Sequence, residues 1–460
     1  DSLTCENLQN KTFYLYVSFI FCNFVAIFNT HSIMRNLKTI LEDQRQEILN
    51  TDCNALLNRQ EEKKIDLDSK LAQVVIGVRR SGKSMLCQKV LMESGVRFAY
   101  VNFDDENLAD IQVAELNDIV EMLYHIYGDY THLFIDEVQN APRWPLFVNR
   151  LLRQGIHLIL TGSNANLLSD ELITHLTGRY NEIRLFPFSF EEYCRINNID
   201  IVGQHTKAVG LRGHALNKYL MEGGFPETMD GAIDKTAYTK ALLDTVIKKD
   251  ICKRYKVRYP ASLRQVADTV IDNFCQEINF ENIRETYAIR SVQTVKNYVS
   301  YLNTAYLARI LHKYSFKSVE RQSNLKSYII DNAFLSNRDN SLQTDNLGWR
   351  LENIIAIELL RRQKYADEQL YFLRESNRFA VDFVRTQASK VQELIQVTYD
   401  FSNPSTKLFN REVGGLIKAS NKTHCDNLTL IVMYGETGTI EHEGKKVHIV
   451  SAAEWLVSAL

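Results

Sequence analysis

The stretch QVVIGVRRSGKS at residues 73–84 contains the strongest local pattern in the chain. The apolar residues from Val74 to Ile76 predict a buried strand, which runs directly into Gly77. After four intervening residues, Gly82 opens a segment with helical spacing of apolar residues. Glycines between a strand and a helix let backbone N–H groups turn inward around phosphate oxygens, beside the positive end of the helix dipole. The stretch therefore predicts a loop that binds phosphate groups.

The residues after the second glycine extend this prediction to a nucleotide and its metal ion. Lys83 is expected to reach the β- and γ-phosphates, and Ser84 is expected to ligate Mg²⁺. The predicted ligands are therefore a nucleoside triphosphate and Mg²⁺. The residues predicted to bind the nucleotide are Gly77, Arg79, Arg80, Ser81, Gly82, Lys83 and Ser84.

A second apolar run, THLFIDEVQ at residues 131–139, ends in two carboxylates. Adjacent acids at the end of a buried strand are costly unless a metal ion or a cation offsets their charge. Asp136 is expected to hold Mg²⁺ through its water shell, and Glu137 is expected to activate the attacking water as general base. The pair predicts a site that hydrolyses a triphosphate, with a solvated strand end as the alternative.

Two further strand ends carry polar residues. The run IHLILTGS at residues 156–163 leads to three polar residues, Thr161, Ser163 and Asn164, and a polar residue at this strand end is expected to hydrogen-bond the γ-phosphate or the attacking water. The strand from Tyr100 to Phe103 leads into three acids at residues 104–106. We interpret those acids as a solvated loop and not as a metal site.

Arg179 lies in the sequence LTGRY, shortly before the apolar segment IRLFPFSF. It is a candidate arginine finger, which stabilises charge on the transferred phosphoryl group either in its own chain or on a neighbouring subunit. The alternative is an ordinary arginine in an ion pair. The sequence leaves these interpretations open, and monomer, dimer and ring all remain compatible with it.

Composition places the chain among globular proteins and limits its partners. At 460 residues it is too long for one ordinary core, so two to four domains are expected. A net charge of -2 gives no support from overall charge for binding nucleic acid. The eight cysteines form no Cys-x-x-Cys pair, so a zinc site or a disulfide framework is not expected. Reduced thiols favour a cytoplasmic location.

The N-terminal segment has a different character from the rest. Residues 13–28 read FYLYVSFIFCNFVAIF, an uncharged stretch shorter than the roughly 20 residues that span a bilayer. An ordinary charged amphipathic helix begins at Met34. We interpret Met34 as the native start and residues 1–33 as a non-native extension, with a membrane-proximal segment and a packed helix as alternatives. A membrane partner is not expected.

The motifs together resemble one known family. GVRRSGKS, LFIDEVQ, LTGSNANLLS, LTGRY, FPFSFEEY and GGFPE resemble a prokaryotic AAA-type P-loop ATPase family that carries a C-terminal domain of unknown function related to PD-(D/E)XK nucleases. The resemblance covers roughly Met34 to the C-terminus. It implies ATP as the nucleotide, Asn164 as the sensor residue and Arg179 as the finger-like residue. It implies no substrate.

The middle of the chain is predicted to be helical. Residues 191–258 fit a small lid on the ATPase core, and their last part, VIKKDICKRYKVR at 246–258, has six basic residues against one acid. We interpret this basic stretch first as a solvated face, with weak binding to DNA as the alternative.

Residues 259–325 resemble a winged helix-turn-helix. Ser291 is a plausible cap for its second helix. That helix would present Gln293, Lys296 and Asn297 to a groove. Winged helices also bind proteins, so the partner of this part is left open between DNA and protein.

Residues 326–460 alternate helix and strand in the order of the PD-(D/E)XK fold. An active site of that kind needs two or more acids to hold a metal ion and a lysine to position the water. Glu352 and Asp382 fall where acids are needed, but Gln396 and Thr398 stand at the positions of the last acid and the lysine. The site is therefore degenerate, and nuclease activity is not expected.

The predicted fold class is α/β. It combines a P-loop NTPase parallel sheet (34–190), a helical lid (191–258), a winged-helix-like domain (259–325) and a PD-(D/E)XK-like domain (326–460). The predicted function is a Mg-dependent ATPase of the AAA type that couples its nucleotide state to a C-terminal binding module. Two alternatives are kept: a switch that binds nucleotide without hydrolysis, and an ATP-regulated DNA endonuclease.

Overall fold

The structure is a computed structural model that describes residues 37–163, 176, 178–315, 317–335, 346–375 and 378–458. The apolar stretch at 13–28 and the predicted sensor Asn164 lie outside the described residues. Among the helices of the described part, none has both the length and the apolar character that crossing a membrane requires.

One parallel sheet forms the centre of the nucleotide-binding part. Its strands are β1 (Ala72–Ile76), β2 (Phe98–Asn102), β3 (His132–Asp136), β4 (His157–Gly162) and β5 (Tyr180–Arg184), in the spatial order β2-β3-β4-β1-β5. All of these pairings are parallel. β1 and β3 are buried along their whole length, as in sheets that are covered on both faces. Because the strands run in one direction, Ile76 and Asp136 end at the same edge.

Helices pack against this sheet, and the described ones are α1 (37–49), α2 (Lys83–Ser94), α3 (Leu116–Tyr127) and α4 (Trp144–Arg153). α2 begins after Gly82 and ends before Gly95, and both glycines have left-handed backbone. The buried residues Leu86 and Leu91 of α2 belong to one apolar cluster with Val75 of β1. The predicted order of strand, loop and helix at 73–94 is confirmed.

The lid contains α5 (Phe190–Ile196), α6 (Thr206–Glu222) and α7 (Lys235–Thr245), and α7 continues into a π-helical segment, Val246–Lys253. The basic stretch predicted to be a solvated face is solvated on one side only. Lys248 and Lys249 are exposed, whereas Ile247, Asp250 and Ile251 are buried. Since these three positions share one helical face, the single acid of the stretch faces the protein interior.

Three helices follow the lid: α8 (Pro260–Asp272), α9 (Phe280–Thr286) and α10 (Val292–Thr304). Ser291 caps α10, because its hydroxyl accepts a hydrogen bond of 3.2 Å from the backbone N–H of Thr294, as predicted. Gln293, Lys296 and Asn297 are exposed on this helix.

The last part of the chain forms an eight-stranded sheet. Its strands are β6 (Ala308–Lys313), β7 (Leu325–Ile329), β8 (Glu368–Glu375), β9 (Phe379–Gln387), β10 (Lys390–Asp400), β11 (Leu428–Tyr434), β12 (Gly438–His442) and β13 (Lys445–Ser451), in the order β12-β13-β11-β10-β9-β8-β6-β7. The helices of this part are α11 (Ser318–Ser323), α12 (Leu347–Arg361), α13 (Thr406–Thr423) and α14 (Ala452–Val457).

The predicted boundary between residues 325 and 326 falls inside an antiparallel hairpin. β6 pairs with β7, and it also pairs with β8 of the C-terminal sheet. The segment expected to end the winged-helix-like domain therefore contributes a strand to the next sheet. The sequence could not show this, because the pairing of a strand depends on tertiary contacts. One apolar cluster joins the parts, from Leu41 of α1 through Phe225 of the lid to Leu351 of α12.

Candidate functional site

The loop between β1 and α2 has a backbone suited to surround a phosphate. Gly82 has a φ of 93° and Arg80 has a φ of 68°, both in the left-handed region that glycine adopts most readily. A Cβ on Gly77 would lie 2.0 Å from the carbonyl oxygen of Leu185, so no larger residue fits there. The first glycine thus permits close packing, and the second permits the turn into α2.

Two polar groups inside the loop fit the phosphates of a nucleotide. Ser81 is fully buried, and its Oγ has no hydrogen-bond partner within the described part of the chain. An unpaired buried hydroxyl is costly, and a phosphate oxygen would satisfy it. Lys83 is also buried, and its Nζ donates to the carbonyl oxygen of Val78 at 3.1 Å. The ammonium group therefore lies within the loop.

Ser84 and Asp136, both predicted to hold the metal ion, are in direct contact. The Ser84 hydroxyl donates to Oδ1 of Asp136 at 2.9 Å, and the hydroxyl of Thr161 donates to the same oxygen. Burial raises the pKa of Asp136 and the charge of Glu137 raises it further, while the two hydroxyl hydrogen bonds oppose them. Hydroxyl and carboxylate oxygens are the ligands that Mg²⁺ prefers, so this pair could hold it.

Glu137, the predicted general base, follows β3 in a left-handed conformation with a φ of 48°. Its backbone N–H donates to Oγ1 of Thr161 at 3.0 Å, and the amide of Gln139 donates to its carboxylate. Such a backbone conformation in a residue other than glycine costs on the order of 1–3 kcal/mol and is typical of functional sites. These contacts fix Glu137 at the sheet edge that carries Asp136 and the phosphate loop.

Asp250 of the lid also reaches this site, and the sequence analysis missed it. Its carboxylate accepts two hydrogen bonds of 3.2 Å from Arg79, one from Nε and one from Nη2. It accepts a third of 3.3 Å from the hydroxyl of Ser163, which follows β4. The available signal was a single acid between apolar neighbours in a basic stretch. A π-helical segment is also more frequent at functional sites than elsewhere.

The arginines of the phosphate loop hold two further acids. Arg79 donates from Nη1 to Asp104 at 3.2 Å, so the acidic run at 104–106 is not simply a solvated loop, since its first member contacts the site. Arg80 donates to Glu227 of the sequence GGFPE at 2.7 Å, in an exposed ion pair. Together with the contact of Arg79 with Asp250, this pair links the loop to the lid at two places.

Arg179 lies at the opposite edge of the sheet from the phosphate loop. The first residue of β5 pairs with Ala72, the first residue of β1, whereas the loop follows Ile76, the last. Four residues at about 3.3 Å each separate the two edges by roughly 13 Å. Arg179 is exposed, and its Nη1 donates to Asn149 at 2.7 Å. This position is incompatible with an arginine finger that acts within its own chain.

A buried chain of charged groups connects the phosphate loop with α12. Arg59 donates from Nη1 to the carbonyl oxygen of Ser81 at 3.0 Å and from Nε to Glu192 at 2.8 Å. Glu192 lies 3.9 Å from Nη1 of Arg361, whose Nε donates to Glu358 at 2.9 Å. Arg361 and Glu358 both belong to α12. The loop is thus tied to the C-terminal part by side chains that solvent screens little.

The predicted residues of the degenerate nuclease site lie together. Glu352 of α12, Asp382 of β9, and Gln396 and Thr398 of β10 line one cleft of about 830 Å³. The backbone N–H of Asp382 donates to Oε1 of Gln396 at 3.2 Å. Gln396 and Thr398 stand two positions apart on β10, and both line this cleft.

Lys326 of β7 lies between the two acids of this cleft, and the sequence analysis missed it too. Its Nζ is 2.6 Å from Oε1 of Glu352 and 3.8 Å from Oδ1 of Asp382. The hydroxyl of Tyr328 donates to Glu352 at 2.8 Å. The expectation that no lysine serves this cluster is therefore corrected, because an ammonium group comes from β7, at the predicted start of the same domain.

The ammonium group of Lys326 offsets negative charge in the cluster of Glu352 and Asp382. Burial raises the pKa of Asp382 to about 8, the charge of Glu352 adds to the effect, and Lys326 opposes it. Within the described residues, no group of three or more His, Cys, Asp or Glu side chains is arranged to hold a metal ion. The ammonium of Lys326 supplies positive charge at the point between Glu352 and Asp382 where a nuclease would have its metal.

Comparison with known families supports an ATPase domain. A family model described as an AAA domain matches residues 69–194, which include β1 to β5 and the site around Lys83. A second model, described as a domain of unknown function (DUF8612), matches residues 213–344. The chain therefore contains an AAA-like P-loop domain, and nucleotide binding is supported for it.

Relatives of similar length occur in an archaeon and in a bacterium. An uncharacterised protein of Methanocaldococcus jannaschii is 31% identical over 83% of this chain and 87% of its own length. An uncharacterised protein of Haemophilus influenzae is 28% identical over 85% of this chain and 95% of its own length. Among solved structures, a Walker-type ATPase of Pyrococcus abyssi is 15% identical, with a TM-score of 0.37, over 61% of this chain and 95% of that one.

Proposed function

The chain belongs to the same family as the uncharacterised Methanocaldococcus jannaschii protein, and we propose that it is a Mg-dependent ATPase whose nucleotide state controls its C-terminal part. The observation that carries this proposal is the contact of 2.9 Å between Ser84 and Asp136, with Glu137 beside them at the same strand end. A hydroxyl, a metal-holding acid and a second acid at this place are what hydrolysis of a triphosphate requires.

Each residue has a defined part in the proposed reaction. Lys83 holds the γ-phosphate and offsets the negative charge that develops on its oxygens. Glu137 orients the attacking water and accepts its proton. Ser84 and Asp136 would hold Mg²⁺, which when bound neutralises charge on the phosphates. Asn164 is proposed to hydrogen-bond the γ-phosphate or the water.

The test is Glu137→Gln, which keeps the size of the side chain but removes the base. We expect steady-state turnover of ATP to fall by about 10²–10⁴-fold, while the affinity for Mg-ATP stays within about twofold of the unmodified protein. The matched control is Glu436→Gln, an exposed glutamate outside the site. Unchanged turnover in Glu137→Gln would refute the role of this residue. Binding of ATP without any turnover in the unmodified protein would favour the non-hydrolysing switch.

The charged chain from Arg59 to Glu358 supports coupling between the nucleotide and the C-terminal part. Because Arg59 donates to the carbonyl oxygen of Ser81, movement of the loop around phosphate changes the position of a buried guanidinium. That group is paired with Glu192, which lies near Arg361 of α12. Hydrogen exchange of α12 should therefore differ between the ATP-bound and the free protein. Equal exchange in both states would contradict the coupling.

For the C-terminal cleft we propose a binding function without nuclease activity. Lys326 already offsets Glu352 and Asp382, so a metal ion would have to compete with an ammonium that is held by the fold. Incubation of the protein with plasmid DNA and Mn²⁺ is expected to give no nicking. Nicking that disappears in Asp382→Ala would establish the endonuclease alternative instead.

We propose that Arg179 acts on the nucleotide of a neighbouring copy. Its exposure and its distance from its own phosphate loop are what such a role requires. Specific activity should then rise with protein concentration, and Arg179→Ala should abolish that rise. A specific activity that does not depend on protein concentration would contradict this role, and the hydrogen bond to Asn149 would then account for Arg179.

A further inference from the structure

A second large cleft lies between the ATPase part and the C-terminal part. Its volume is about 1190 Å³. It is lined by Lys64, by Arg184 of β5, by Arg309 of β6 and by most of residues 360–371. Glu192 and Arg361 of the charged chain that leads to the phosphate loop line it as well. The cleft is separate from the site around Lys83, whose residues do not line it.

Arg309 forms no direct ion pair with the described acids of this cleft. Within the described residues no carboxylate lies within 4.0 Å of its guanidinium, and its Nε is buried without a hydrogen-bond acceptor. Its neighbour Tyr306 offers only a ring face, 5.3 Å from the guanidinium carbon. Burial lowers the pKa of Arg309 and the charge of Arg184 lowers it further, while Tyr306 and Glu182 raise it. The side chain is half-buried, so an anion that approached it would find a cation with few competing partners.

Three acids of the cleft are already paired with arginines. Glu182 accepts from Nε of Arg184, and Glu192 accepts from Arg59. Glu358 accepts from both Arg361 and Arg362. Lys64 also lines the cleft, and it is exposed. Arg309 and Lys64 therefore offer positive charge to a ligand.

We propose that this cleft binds a ligand through its phosphate groups, with Arg309 as the principal contact and Lys64 as a second contact. A guanidinium presents two parallel N–H groups to a phosphate, which makes arginine the preferred residue for this anion. The phosphate can belong to a free phosphate anion or to the backbone of a single strand of nucleic acid. The volume of the cleft accommodates either.

The test uses the full chain with Lys83→Ala, so that phosphate bound by the first site does not contribute. One arm titrates inorganic phosphate against chloride at equal ionic strength and measures the unfolding temperature. The other arm measures the fluorescence anisotropy of a short labelled oligonucleotide, with a methylphosphonate strand as the uncharged reference. Arg309→Gln is expected to weaken binding about tenfold, and Lys64→Gln is expected to weaken it by about twofold to fivefold. Arg97→Gln removes the same charge from an exposed pair elsewhere and is the control.

Each result has a defined meaning. Binding of phosphate and of the charged strand, weakened in Arg309→Gln but not in Arg97→Gln, supports a site for the backbone of nucleic acid. Binding of phosphate alone, with the same response to the variants, supports a site for a small anion. Absence of binding in both arms, or equal affinity of Arg309→Gln and Arg97→Gln, overturns the proposal. Should Arg309→Gln not fold, an affinity of Lys64→Gln equal to that of Arg97→Gln overturns it, and weaker binding in Lys64→Gln supports it.

Discussion

Arg79 of the phosphate loop and Asp250 of the lid form a two-bond ion pair. Nε of the arginine lies 3.2 Å from Oδ2 of Asp250, and Nη2 lies 3.2 Å from Oδ1. The side chain of Arg79 is 15% exposed and that of Asp250 is 6% exposed. Burial raises the pKa of Asp250, while the hydrogen bonds and the charge of Arg79 oppose that effect. Since a nucleotide would bring negative charge to the same loop, the lid and the phosphates compete for one guanidinium.

A double-mutant cycle of Arg79→Met and Asp250→Asn measures this pair. We expect a coupling of about 1–3 kcal/mol in the free energy of unfolding without nucleotide, because both groups are largely buried. Denaturant titration of the four proteins gives the value. The cycle of Arg97 and Asp129, an exposed pair, should give no measurable coupling. Equal coupling energies in the two cycles would show that the contact between Arg79 and Asp250 stabilises the fold no more than an exposed ion pair does.

Gly77→Ala should destabilise the protein by more than about 3 kcal/mol, since the added Cβ would lie 2.0 Å from the carbonyl oxygen of Leu185. Gly155→Ala is the control, because a Cβ there meets no atom within 4 Å and only the left-handed backbone opposes it. That cost is about 1 kcal/mol. Thermal unfolding compares the two variants. A loss for Gly77→Ala no larger than that of Gly155→Ala would contradict the close packing.

Ser84→Ala removes a hydroxyl from the place where Mg²⁺ would bind. Half-maximal turnover should then require at least about tenfold more Mg²⁺, and excess EDTA should stop turnover in both proteins. A magnesium titration at saturating ATP measures the shift. Ser94→Ala, at the other end of α2, provides the control, since its hydroxyl donates to the carbonyl oxygen of Leu91. An unchanged requirement for Mg²⁺ in Ser84→Ala would exclude this residue as a ligand.

The stability of the C-terminal part should depend on pH through Asp382. Burial raises the pKa of Asp382 to about 8, above the value of about 3.9 in an unfolded chain. The folded protein therefore binds one more proton between these values, and its stability falls as the pH rises from about 4 to 8. In Asp382→Asn this fall should be absent. Urea unfolding midpoints measured from about pH 4 to 8 test this dependence. The control is Asp129→Asn, an exposed position, whose midpoints should change with pH as those of the unmodified protein do.

Lys326→Met should lower the free energy of unfolding at pH 7 by about 3–5 kcal/mol, because it leaves the carboxylate of Glu352 buried beside Asp382 without its cation. Lys422→Met removes a lysine from a more exposed pair with Glu375, and it should change the free energy of unfolding by no more than about 0.5 kcal/mol. Urea unfolding at pH 7 compares them. If both variants lose the same stability, Lys326 is not the counter-ion of the cluster.

The sequence determined the nucleotide site because its parts are local. A strand, a loop of fixed spacing and a helix lie within residues 73–94, and the acids Asp136 and Glu137 stand at the end of a strand of the same sheet. In parallel strands, position along the chain fixes which edge a residue reaches, so their meeting with Ser84 could be predicted. The cap at Ser291 followed from local hydrogen bonding in the same way.

Only the tertiary structure decided which distant charges meet. Asp250, Lys326 and Arg309 each stand in short segments whose neighbours in sequence do not reveal their partners in space. Lys326 contacts Glu352 because β7 joins a sheet whose strand order no local pattern specifies. Arg179 is far from the phosphate loop because it comes just before β5, whereas the loop comes just after β1. The energy of a charge depends on its burial and on the groups opposite to it, and both are properties of the folded chain.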